Sequence, residues 1–244
     1  MEYKILYKYY NFKETYDKDC QRANYTKDSF DNGYMWASHP SAFNDPYDCA
    51  LHKIPNLPSD KKTKKYIEVE QFIDKKAVIC FCENNDNMLM WSHYADYHKG
   101  ICIGYDSSIF QKAFTGDEFN LQRYQNISYT HSVNINIDEF DGQQLWCEIN
   151  KLMSTKSIDW AYEKEWRVIL EYDEAIDKTE KGRKLNIDLD SIIKEIIFGV
   201  HCEQETKDYF FEKFKDKRFF EARLQNGGFG LDIKAVDHNN IISH

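Results

Sequence analysis

The chain has 244 residues, enough for one sizeable core, and without a compositional break it is expected to form a single domain over residues 1–244. A formal net charge of −9, from 32 Lys and Arg against 41 Asp and Glu, argues against a broad basic face that coats nucleic acid. No stretch reaches the roughly 18 to 20 apolar residues of a membrane span, and MEYKILYKYY lacks the apolar core and cleavage site of a signal peptide, so a cytoplasmic protein with no membrane partner is expected.

In chain order, EYKILYKYYNF alternates aromatic and polar residues as a strand does, and a polar helix or loop follows to about Asn32. GYMWAS reads as a second strand, running into HPSAFNDPYD, where two prolines and the Asn44-Asp45 pair impose a non-regular loop. The Lys-rich stretch from Asp60 to Lys65 leads into a helix through about Lys75, and AVICFC has the content of a buried strand. Met88, Trp91 and Ala95 fall at helical spacing, with Asn85, Asp86 or Asn87 as the cap and Gly100 as the stop. GICIGYD is the next strand, followed by a polar helix, a strand near NISYT, a helix from about Asp138 to Met153 and the strand EWRVILEY. KEIIFGV, RFFEARL and FGLDIKAV complete the strands, with ETKDYFFEKFKD as a helix between the first two. The sum is a strand-rich α+β fold, a mixed sheet core with flanking helices.

Seven scattered cysteines (Cys20, Cys49, Cys80, Cys82, Cys102, Cys147, Cys202) show no paired zinc-module spacing and read as reduced, mostly buried thiols. His93 and His98 are five residues apart, which turns the rings roughly 140° from one another on a helix, so no metal is expected there.

Three blocks concentrate chemistry-bearing residues. The first joins Lys8, Tyr9 and Tyr10 with Ser38, His39, Asn44 and Asp45, although Asn44 and Asp45 also suit simple capping of their own turn. The second, Phe81 to Asp106, places a polar loop and a helix start between two strands, a natural cradle for a polar ligand; Met88, Met90 and Trp91 equally suit a core. The third contains Lys156, Trp160 and YEKEWR, where Glu163, Glu165 and Arg167 share one face of an incoming strand while Trp166, Val168 and Leu170 take the other. That charged face also fits a plain solvated edge with weak surface pairs.

Taken together, YKYYNF, WASHPSAFNDPYD, FCENNDNMLMWSHYADYHKGICIGYD, WAYEKEWRVI and IIFGV resemble a widespread bacterial family catalogued only as a domain of unknown function. More distantly, the block order resembles ADP-ribosyltransferases, especially the toxins that modify nucleic-acid bases. That resemblance implies an ADP-ribosyltransferase-like fold and NAD as substrate. It also implies a macromolecular acceptor, nucleic acid or protein, and a toxin or phage-defence setting with an antitoxin or regulatory partner. Glu165 would then be the catalytic carboxylate, stabilising the oxocarbenium-like ribose formed as the nicotinamide bond breaks. Lys8 and its neighbours Tyr9 and Tyr10 would meet NAD; Tyr10 stands where the unknown-function family often has Arg, leaving the basic contact to Lys8. Phe81, Met88, Leu89 and Met90 would line the second block, with Trp91 or Tyr94 stacking on nicotinamide and His93 beside them. Ser38, Asn44 and Asp45 would bind ribose or adenine edges, while Lys156 and Arg167 would hold pyrophosphate or orient Glu165. The alternatives are a nonenzymatic ligand-sensing or interaction module and, third, a metal-dependent nuclease, for which the sequence offers no tight Asp/Glu pattern.

Overall fold

The computed structural model describes residues 4–16, 18–19, 21–49, 64–110, 112, 121–133, 139–140, 142–176 and 180–236. In chain order its elements are β1 (Ile5–Tyr10), α1 (Gln21–Asn32), β2 (Tyr34–Ser38), α2 (Lys64–Ile73), β3 (Lys76–Cys82), α3 (Met88–Tyr94) and β4 (Ile101–Asp106). There follow β5 (Leu121–Asn126), β6 (Ser128–Thr130), α4 (Gly142–Met153), β7 (Thr155–Ser157), β8 (Glu165–Glu171) and β9 (Gly182–Asn186). The chain closes with α5 (Leu189–Ile192), β10 (Ile193–Phe198), α6 (Gln204–Lys213), β11 (Arg218–Leu224) and β12 (Leu231–Ala235). This is α+β architecture with a mixed sheet and flanking helices, the class that the alternating patterns suggest. The expected connection at residues 60–63, most of the polar helix after Asp106 and the expected helix start at Asp138 lie outside the described residues.

Two compact units are formed, and the chain passes between them after residues 35, 80, 109 and 185. In the first, strands run in the order β12-β11-β10-β4-β1; β10 and β11 are parallel and the other neighbours antiparallel. The high aromatic content is spent here: Phe12, Phe30 and Phe198 all meet the Phe210 ring of α6, at centroid distances of 4.7, 5.2 and 6.4 Å. Edge-to-face and tilted ring contacts of this kind add to area burial.

Capping also defines α3 in this unit, because the Asn87 side chain accepts from the N–H groups of Leu89 (2.9 Å) and Met90 (3.2 Å). The helix stops at Tyr94, short of the expected stop at Gly100, because Asp96, Tyr97 and His98 all adopt left-handed backbone, with φ of 46°, 52° and 69°. Three successive residues there cannot continue a right-handed helix. Gly100 then lets the chain enter β4 against β1, since a Cβ at that position would collide with the Tyr10 carbonyl oxygen.

The second unit carries strands in the order β9-β2-β3-β8-β5, with β6 and β7 pairing in parallel beside them. Its core is amphipathic packing: Leu145, Ile149, Leu152 and Met153 recur on one face of α4 and meet Val69 and Ile73 of α2, Val78 of β3 and Ile169 of β8. Stacking of Phe72 on Trp146, at 4.7 Å, ties the two helices together. The sequence pattern passed over β7, β9 and α5, each of five residues or fewer and too short to display a period, and also β5, whose polar LQRYQN shows no apolar run.

Candidate functional site

The dominant polar feature lies in the second unit, where Asp48, Lys156, Glu163, Glu165 and Arg167 are all buried. Four short segments deliver them. Asp48 comes from the loop after β2, a turn fixed by Asp45, whose Oδ1 accepts the Tyr47 N–H at 2.8 Å and whose carbonyl accepts the Asp48 N–H at 3.0 Å. Lys156 sits on β7 opposite Tyr129 of β6. Glu163 ends the 3-10 turn Ile158–Glu163, and Lys164, at φ 44°, redirects the chain into β8, which contributes Glu165 and Arg167 on one face.

Arg167 organises the cluster. Its Nε donates to Glu165 Oε1 at 2.6 Å and one terminal nitrogen to Glu165 Oε2 at 3.1 Å, while the two terminal nitrogens grip Asp48 at 2.9 and 2.5 Å. The Met153 carbonyl accepts a further bond at 2.7 Å, so the planar fork is fully used. Lys156 Nζ lies 2.5 Å from Glu163 Oε2, 3.3 Å from Glu165 Oε2 and 3.6 Å from Asp48 Oδ2, with the Trp160 ring at 4.8 Å. The Glu165 N–H donates to the Tyr129 hydroxyl at 2.7 Å, which sets where β8 begins.

The electrostatics follow from this wiring. Burial opposes charge on Glu165, but Arg167 and Lys156 outweigh it and hold the carboxyl at about 2, aided by hydrogen bonds from Arg167 and Cys80. Burial likewise opposes charge on Lys156, yet Glu165, Glu163 and Asp48 raise it well above the usual lysine range. Formally, among the described residues of this cluster, three carboxylates face two cations, an excess of one negative charge. Such a set suits a ligand or transition state that develops positive charge, and it equally makes a strong internal brace.

Of the sequence candidates, Glu165, Arg167 and Lys156 are brought together as one cluster, and the charged face is buried rather than a solvated edge: Glu165 is 3% and Arg167 0% exposed. Asp45 is buried in its turn, Asn44 is exposed beside it, and Ser38 ends β2 opposite Val78. Asp48, Glu163 and Tyr129 complete the cluster. Asp48 lies in the HPSAFNDPYD loop and Tyr129 in the NISYT strand, yet nothing local singles them out, because their partners in space are far away in the chain; Glu163 was visible only through its two-residue spacing from Glu165.

The remaining candidates belong to the first unit. Trp91 has no exposed surface, donates its indole N–H to the Asn85 carbonyl at 2.8 Å and meets the Tyr9 ring edge-on at 5.1 Å. It serves as core, so the expected stacking on nicotinamide has no exposed indole face here. Met90 and Phe81 are also buried, Phe81 against Tyr105 at 5.7 Å. Tyr9 donates to the Asn84 carbonyl at 3.0 Å, Tyr10 and Tyr105 share a hydroxyl contact at 2.7 Å, and Lys8 lies 5.6 Å from the Tyr10 ring. His93 is exposed, with its ring 6.3 Å from that of half-buried Tyr94.

Among the described residues, no group of three or more His, Cys, Asp or Glu side chains is arranged to hold a metal ion, and no helix is long and apolar enough to cross a membrane. The fold and the cluster define an α+β protein with a buried ionic site. Residues 90–168, from α3 to the middle of β8, match a family described as "Protein of unknown function (DUF2971)", in keeping with the resemblance that the motif blocks carry. No curated protein and no solved structure matches the chain.

Proposed function

We propose that the chain is an NAD-using, ADP-ribosyltransferase-like enzyme that transfers ADP-ribose to a macromolecular acceptor, nucleic acid or protein, with Glu165 as the catalytic carboxylate. The observation that carries this reading is a buried Glu165 held by Arg167 and Lys156 in a cluster where, among the described residues, three carboxylates meet two cations. In the reaction the bond between ribose C1′ and the nicotinamide nitrogen breaks, nicotinamide departs with the bonding electrons, positive charge spreads over the ribose, and a nucleophilic oxygen or nitrogen of the acceptor bonds to C1′ and gives up its proton to solvent. A carboxylate fixed beforehand opposes that charge without reorganising. Lys156, the longer-range partner of Glu165 at 3.3 Å, is the contact that a ribose hydroxyl replaces, while the Arg167 fork keeps the carboxylate oriented. The toxin or phage-defence setting and an antitoxin partner belong to the same reading.

A specific observation favours a second reading, a nonenzymatic ligand-sensing or interaction module: both oxygens of Glu165 are paired and almost no surface of Glu165 or Arg167 reaches solvent. In that reading the cluster braces the loop carrying Asp48 against β8. Incubation of wild type and Glu165→Gln with labelled NAD and lysate, split into protein and nucleic-acid fractions, separates the two. Label moved by wild type and not by the variant supports the transferase and names the acceptor class. Folded wild type that neither moves label nor releases nicotinamide removes the enzyme reading.

A further inference from the structure

The turn between α3 and β4 carries strained backbone in the first unit. Asp96, Tyr97 and His98 are successive left-handed residues, none of them glycine, and each such conformation is disfavoured for an L side chain. Strain of this kind persists only where its surroundings hold it in place. Here the hold begins with backbone bonds. The Trp91 carbonyl accepts the His98 N–H at 3.2 Å, the Ala95 carbonyl accepts the Gly100 N–H at 2.8 Å, and the His98 carbonyl accepts the His201 N–H at 2.9 Å from the turn Gly199–Cys202. That second turn comes so close that a Cβ on Gly199 would lie 2.1 Å from the His98 carbonyl oxygen.

The His98 side chain completes the hold. Its ring lies nearly parallel to the Trp91 indole, at 12° with centroids 6.4 Å apart, and its Nε2 is 3.1 Å from the Ser92 hydroxyl oxygen. Its Nδ1 is a buried atom with no hydrogen-bond partner. A bare lone pair costs less in such a spot than an N–H, so the neutral ring keeps its proton on Nε2 and donates to Ser92. Protonation adds an N–H at Nδ1 that meets no acceptor. Towards this ring α3 presents the uncharged Trp91 and Ser92 and the facing turn presents His201, while Asp96 and Lys99 flank His98 in its own turn. Burial in the first place, and His201 in the second, push the ring below the ordinary histidine value of 6.5.

We propose that His98 is the catch of an acid-sensitive switch: as a neutral ring it keeps the left-handed turn seated against the Gly199–Cys202 turn, and as a cation it releases that turn together with the end of α3. The cation brings an unanswered N–H into a buried position and a like charge beside His201, and both weaken what offsets the strain. The contribution of the neutral ring is complete above pH 6.5 and is lost as pH falls below that value and through the folded one. The switch lies within the first unit and makes no use of NAD or of Glu165.

The test is amide hydrogen exchange of the full chain, read by NMR between pH 7.5 and 5 and corrected for the intrinsic pH dependence of exchange. Opening at the amides of His98, Gly100 and His201 is expected to rise at least about three-fold as pH falls, since each unit of lowering is worth about ten-fold, while Ile103 inside β4 does not follow. His98→Phe keeps a ring beside Trp91 but takes no proton, and its profile is expected to be flat. His201→Gln narrows the gap to the ordinary value, so its rise is smaller than that of wild type. Folded wild type with no rise, or an equal rise in His98→Phe, overturns the switch. Should His98→Phe not fold, the ring of His98 in wild type decides by its own NMR titration: a midpoint below 6.5 supports the switch, and one at or above 6.5 overturns it.

Discussion

Replacing Arg167 by Leu tests whether the guanidinium is the keystone of the buried cluster. The substitution removes two bonds to Glu165, two to Asp48 and one to the Met153 carbonyl, and leaves three carboxylates facing Lys156 alone. Breaking a buried ion pair from one side costs about 3–5 kcal/mol, because the stranded charges stay desolvated. Set against a total stability of about 5–15 kcal/mol, that is a large fraction. Urea unfolding followed by tryptophan fluorescence reads the loss as a lower midpoint at unchanged slope. The double variant Arg167→Leu with Glu165→Gln adds a sharper criterion. Neutralising Glu165 removes one stranded charge, so the pair of changes costs less than the sum of the single ones, by about 1–3 kcal/mol. A loss below about 1 kcal/mol for Arg167→Leu, or strict additivity in the double variant, refutes the account of the cluster given above.

Acid provides a second test. The folded carboxyl of Glu165 is held at about 2 against an ordinary 4.5, so its contribution is complete above pH 4.5 and drains away as pH falls toward 2. That shift corresponds to roughly 3 kcal/mol, and the urea midpoint of wild type should fall through this window while Glu165→Gln shows a shallower decline. At the start of α3, Asn87→Ala strips the acceptor for two N–H groups and is expected to cost about 1 kcal/mol, measurable as a lower unfolding midpoint and restored by Asn87→Ser or Asn87→Asp.

How much of this was legible in the sequence depended on how far each signal reached along the chain. Strands β3, β4 and β10 each carry a compact apolar run (AVICFC, ICIGY and IIF), and α3 announces itself through its Asn cap and Gly100, so composition and punctuation sufficed. The same local reasoning could place Glu163, Glu165 and Arg167 on one face, yet it could not decide between a wet edge and a buried cluster. The deciding partners are Asp48, 119 residues from Arg167, and the helix α4 that covers Ile169. Trp91 shows the converse: the sequence admits both a stacking platform and a core residue, and the contacts with Tyr9 and the Asn85 carbonyl decide for the core. The division into two units was illegible for a similar reason, since each is assembled from separated segments of unremarkable composition.

That interleaving constrains how the molecule can be altered by inheritance. Because the backbone crosses from one unit to the other four times, no single breakpoint in a gene can donate one unit whole. A breakpoint between residues 36 and 184 delivers pieces of both units on either side, and the stretch that matches the family, residues 90–168, itself takes its first part from one unit and the rest from the other. A single exchange of sequence therefore cannot part the two units, which travel together.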